Sequence, residues 1–217
     1  MKRFFTIIAL AAMVNILIIG CSKDNPIAVN KTDALAAITE PDGTAPEPKI
    51  KTINAYLVYD NTVTTSEASG VVRQARDRIA AQFTTAYWTF TYPTTATWSS
   101  PSSPYSCADM GSDLIRDFPG YPNYQYHTCI GISRKPTQQD PYGNAGCESQ
   151  DHAFIDYTPT GLGFNSVASV VMHEWGHSLG APQCSNTGCV MNTTGCKNGS
   201  TTYCSNCRTY IRNHLGI

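Results

Sequence analysis

The stretch "NSVASVVMHEWGHSLG", residues 165 to 180, restricts the possible folds of this chain more than any other part of it. Asn165 or Ser166 can cap a helix. Val167, Val170, Val171 and Trp175 recur at the spacing of apolar helical faces, and Gly180 supplies the stop. Residues four apart on a helix share a face, so His173 and His177 present two imidazoles to one point with Glu174 beside them. The fold has to bury this helix and leave that point open to a ligand.

Those residue types suit one chemistry. Neutral imidazoles at H-E-x-x-H spacing bind zinc while leaving it cationic, so that the metal acidifies a water and polarises a carbonyl. Glu174 then accepts the water's proton and delivers it to a leaving amine. A bare H-E-x-x-H also occurs by chance, as polar residues on a buried helix, so the context decides.

The context extends well past the helix. Gly180, Gln183, Cys184, Cys189 and Met191 follow in "GAPQCSNTGCVMN", and "YCSNC" adds Cys204 and Cys207. This series resembles the archaemetzincins, whose pattern H-E-x-x-H-x-x-G-x-x-H-C-x4-C-x-M, then C-x2-C, is matched at every element except the third histidine, where Gln183 stands. The resemblance spans residues 173 to 207, and the 12 residues between Met191 and Cys204 are fewer than the family's usual spacer. It implies an α/β (α+β) zincin-like domain with a mixed twisted sheet, an active-site helix and a cysteine-rich C-terminal subdomain. It implies peptide-bond hydrolysis at a catalytic Zn2+ held by His173, His177 and, by position, Gln183, with Glu174 as base and Met191 in a Met-turn under the metal. An amide oxygen is a neutral, weaker ligand than imidazole. With Gln183 there, the site binds zinc less tightly, recruits another donor, or binds metal and peptide without turnover. His127, His152 and His214 are the other histidines.

In the same family the cysteines matching Cys184, Cys189, Cys204 and Cys207 hold a second, structural zinc, and their spacings suit a tetrahedral thiolate site. That would leave Cys107, Cys129, Cys147 and Cys196 for two disulfides. An oxidising compartment allows the alternative of all eight pairing in four bridges.

An exported chain is expected from the first residues. Lys2 and Arg3 precede "FFTIIALAAMVNILIIG", a signal-like apolar run that falls short of a comfortable membrane span. Its ending, "LIIGC", resembles the lipobox of bacterial lipoproteins, which implies removal of residues 1 to 20, lipidation of Cys21 and an outer-membrane lipoprotein. Residues 21 to 50 read as a flexible tether and 51 to 217 as one domain. The formal net charge is −1, so no charge imbalance points to nucleic acid.

Strands are expected at 53–60, 86–93, 126–133 and 152–159, and helices at 66–83 and near the C-terminus. "HAFIDY" (152–157) precedes the histidine helix, where zincins carry the edge strand that pairs with a peptide or protein substrate. Tyr203 and Tyr210 are candidate oxyanion donors, with packing as their simpler role. The Ser-, Pro- and Tyr-rich segment between the second and third strands lines a site, covers an edge or loops over the surface. Its aromatics Trp98, Tyr105, Tyr121 and Tyr124 raise a second possibility, a glycan-binding adhesion module.

Overall fold

The computed structural model describes residues 51–101, 106–121, 123, 125–135, 145–157 and 165–217. The segments expected to be a signal and a tether, with Cys21, lie outside the described residues, as do Tyr105 and Tyr124. Among the described residues no helix is long and apolar enough to cross a membrane.

Among the described residues five strands form one sheet in the order β2-β1-β3-β5-β4. β1 (Lys51–Tyr59), β2 (Ala86–Thr91), β3 (Thr128–Ser133) and β5 (His152–Asp156) are parallel neighbours, while β4 (Gly146–Ser149) pairs antiparallel with β5. A parallel sheet needs cover on both faces, and strand alternation shows how it is supplied. Ile53, Ala55, Leu57 and Tyr59 of β1 point into one core with Ile130, Ile132, Ala153 and Ile155, beneath α1 (Thr65–Ala80) and α3 (Val167–Ser178). Val58, Cys129 and Phe154, of opposite parity, enter a second core with Trp98 and residues of α2 (Cys107–Asp117). Two further helices, α4 (Thr193–Lys197) and α5 (Ser205–Leu215), close the C-terminal part.

Local signals set the helix ends. Thr64 and Glu67 form a reciprocal capping box at α1, and Ser166 is the residue that caps α3, through the Ser169 amide. Gly216 ends α5 in the left-handed conformation.

Two expectations are corrected here. β5 does not form the edge of the sheet: β3 and β4 flank it, and Phe154 is fully buried. Among the described residues the edge on this side of the sheet is the short β4, joined to β5 by a two-residue turn in which Gln150 and Asp151 both have positive φ. The segment before β3 does not offer Trp98 to a ligand either. Trp98 is 3% exposed and its indole N–H donates to Asp113 at 3.0 Å, so it pins α2 to the sheet. Tyr121 is stacked on Tyr56 with ring centroids 4.2 Å apart.

Candidate metal centre and active site

α3 carries the site because its sequence allows it to be almost wholly buried while two imidazoles meet at its C-terminal end. His173 Nδ1 lies 2.7 Å from the Val190 carbonyl, and His177 Nδ1 lies 2.9 Å from the Ala181 carbonyl. An imidazole facing a carbonyl must donate to it, which places the proton of each neutral ring on Nδ1 and leaves a lone pair on each Nε2. Those two Nε2 atoms are 3.2 Å apart. Burial lowers the His173 imidazole to about 4, with a further contribution from His177, and burial also lowers His177. Both rings are therefore neutral and ligand-competent at neutral pH.

The chain beyond α3 completes the surroundings. Gly180 has φ +85°, the left-handed turn that brings the Ala181 carbonyl under His177 and carries Gln183 back to the site. The Gln183 amide nitrogen lies 3.3 Å from His173 Nε2, and a half-turn of the amide places its oxygen there instead. Met191 is fully buried against Gly176, where any Cβ would meet the Met191 sulfur at 2.5 Å. The residue before it, Val190, supplies the carbonyl that orients His173, so the turn at 189–191 acts on the site through the backbone.

Two nitrogen lone pairs aimed at each other at 3.2 Å, with the Gln183 amide 3.3 Å from one of them, are what a cation between them would require. A tetrahedral zinc with Zn–N bonds of ~2.0–2.1 Å sets its ligand nitrogens ~3.3–3.4 Å apart. The residues fit the metal. His173, Glu174 and His177 also group their ligand atoms within 4.8 Å of one another.

Glu174 stands beside the pair. It is 6% exposed, its Oε2 has no hydrogen-bond partner, and burial followed by the charge of Glu148 raises its carboxyl to about 8. Its side chain lies over Gly146 of β4, where a Cβ would come within 2.7 Å of Glu174 Cγ. Gly146 and Glu148 share one face of β4, so both belong to the site. Neither was singled out from sequence. The only signal was a four-residue "GCES" run before a Gln-Asp turn, without the glycine that usually marks such a hairpin.

The four cysteines form a second group, with all ligand sulfurs within 4.8 Å. Cys184 and Cys204 Sγ are 3.6 Å apart, Cys189 and Cys207 3.7 Å, and Cys204 and Cys207 3.5 Å. The edges of a zinc–thiolate tetrahedron with Zn–S bonds of ~2.3 Å are ~3.8 Å, so these residues fit a structural zinc. Backbone amides of Asn186 and Cys204 already point at the sulfurs of Cys184 and Cys189. Burial raises the Cys204 thiol, but hydrogen bonds from the Cys207 amide and the neighbouring thiols outweigh it and bring it down to about 7. No disulfide joins the described cysteines.

The other candidates stand elsewhere. The His152 ring lies between the Gln150 and Phe118 carbonyls, His127 donates its amide to Asn54, and His214 packs against Gly180. None of them joins the His173 group. The Tyr203 hydroxyl donates to the Met172 carbonyl at 2.6 Å in a buried contact, and Tyr210 is exposed.

No protein-family profile matches the sequence, and no curated protein is significantly similar to it. Solved structures do match. The chain is similar to an archaemetzincin from Methanopyrus kandleri, with a TM-score of 0.52 and 13% identity over 80% of this chain and 100% of that one. It is also similar to metalloproteinase-II from Bacteroides fragilis, with a TM-score of 0.51 and 10% identity over 77% of this chain and 54% of that one. At these identities the likeness is one of fold, and the fold is zincin-like.

Proposed function

We propose that this chain is a zinc-dependent metallopeptidase, carried at the outer membrane by a lipid on Cys21. The observation that carries the catalytic part is the pair of converging Nε2 atoms of His173 and His177, 3.2 Å apart, beside the buried, unpartnered carboxyl of Glu174. Zinc, when bound, acidifies water and polarises a carbonyl. His173 and His177 hold it, Gln183 offers its amide oxygen as third donor, and Cys184, Cys189, Cys204 and Cys207 hold a second ion.

Glu174 accepts a proton from the attacking water and passes it to the leaving amine. Burial raises this carboxyl to about 8, and a cation held by the adjacent imidazoles would lower it into the range where it is ionised at neutral pH and able to take that proton. The substrate peptide adds as a strand to the edge that β4 forms among the described residues, antiparallel to it, which sets a carbonyl beside Glu174.

The test is cleavage of a peptide library by the zinc-loaded chain. Wild type cleaves, and Glu174→Gln keeps its zinc while losing roughly 10²–10⁴-fold in rate. Undiminished cleavage by the variant sinks this role for Glu174. Gln183 favours a second reading, a member that binds peptide without turnover, and peptide binding with no cleavage by zinc-loaded wild type establishes it. For the anchor, Cys21→Ser moves the chain from the membrane fraction to the soluble one, and unchanged fractionation rules the anchor out.

A further inference from the structure

Glu148 is not needed to hold metal or move a proton, yet it faces the same space as Glu174. Alternation along β4 puts it on the face of Gly146, the face that lies against Glu174 and Val170 of α3. One carboxylate oxygen accepts the Asp151 amide at 2.7 Å, which fixes the side chain's direction. No ion pair among the described residues involves Glu148, Asp151 or Glu174. Burial raises Glu148 to about 7 against the lowering effect of that amide bond. The half-buried Glu148 carboxylate, without an ion-pair partner among the described residues, is a group that a positive charge would complete.

We infer that Glu148 is a specificity-determining residue that receives a protonated amine of the substrate on the acyl side of the scissile bond. The side follows from strand direction and rests on the peptidase reading. β4 runs from Gly146, beside Glu174, to Ser149. An antiparallel peptide therefore places the residues preceding its scissile carbonyl alongside Glu148. The amine is either the peptide's own α-ammonium or a Lys or Arg side chain shortly before the cleaved bond, and both present the same charge to the carboxylate.

The test uses one pentapeptide in four forms, with its amino terminus free or acetylated and its first three residues lysine or norleucine. Binding is followed by fluorescence anisotropy on the zinc-loaded full chain carrying Glu174→Gln to prevent turnover, with and without Glu148→Gln. The expected result is roughly tenfold tighter binding of the charged forms, a difference that disappears in Glu148→Gln. Comparing the acetylated lysine form with the free norleucine form identifies which amine is held. A charge preference that survives Glu148→Gln, or no preference at all, overturns the inference. Equal cleavage of charged and neutral forms by wild type sinks it while leaving the peptidase reading intact. Glu148-dependent binding of charged forms without cleavage by wild type does the reverse.

Discussion

His173 and His177 turn their Nε2 atoms toward each other at 3.2 Å, while the Nδ1 of each ring is tied to a backbone carbonyl from the chain that follows α3. Without a cation this arrangement is unfavourable, because neither nitrogen has a proton to offer the other. The carbonyls of Val190 and Ala181 impose it, and both lie in the turn segments flanking Gln183 and Met191. The helix thus supplies the two imidazoles and the following loop supplies their orientation, the division of labour expected around bound metals.

Replacing Gln183 tests whether it serves as the proposed third donor. Gln183→His exchanges a neutral amide for an imidazole 3.3 Å from His173 Nε2. Its affinity for zinc, measured by competition with a chelating dye, is expected to rise by about tenfold or more. Unchanged affinity would place residue 183 outside the coordination sphere.

Glu174 weakens the metal-free fold at neutral pH. Its folded pKa is raised from 4.5 to about 8, so the native state retains a proton that the unfolded state releases above pH 4.5. The stability tied to that proton is present in acid and is lost progressively as pH rises through 8. Glu174→Gln, a neutral isostere, is therefore expected to stabilise the chelated protein by roughly 2–4 kcal/mol at pH 8 and to have little effect at pH 4. Urea unfolding at the two pH values measures this, and equal effects at both would refute the assignment.

Gly146 holds the distance between β4 and α3. A Cβ there would approach Glu174 Cγ to 2.7 Å and Val170 Cγ1 to 2.8 Å. Gly146→Ala is expected to cost about 1–3 kcal/mol of stability and to move the Glu174 carboxyl, lowering cleavage more than zinc content. Wild-type stability and rate in the variant would show that the strand yields without consequence.

Sequence alone carried the chemistry further than the architecture. The spacing of His173 and His177 puts their imidazoles on one helix face with Glu174 beside them, as observed, because helical periodicity is a local property. β1, α1, β2, β3 and α5 also lie close to their expected positions, each marked by an apolar run or a cap. The edge of the sheet was not legible. β4 is four residues long, is half-buried in part and ends in an unusual turn, so its existence depends on pairing with β5, a tertiary contact that no local pattern announces. The same applies to α2. A Ser/Pro/Tyr-rich composition leaves open whether the segment lines a site, covers an edge or loops over the surface, and only the burial of Trp98, Cys107, Met110 and Leu114 against the sheet makes it a covering layer. The cysteine cluster was visible as spacing, while the choice between pairing and convergence around one point needed sulfur-to-sulfur distances.

The most direct measurement is zinc per chain by elemental mass spectrometry on wild type, His177→Ala and Cys189→Ser. Two zinc ions are expected in wild type and one in each variant, with peptide cleavage lost in His177→Ala. Zinc that is absent from wild type, or equal in wild type and His177→Ala, would contradict a metal centre on α3.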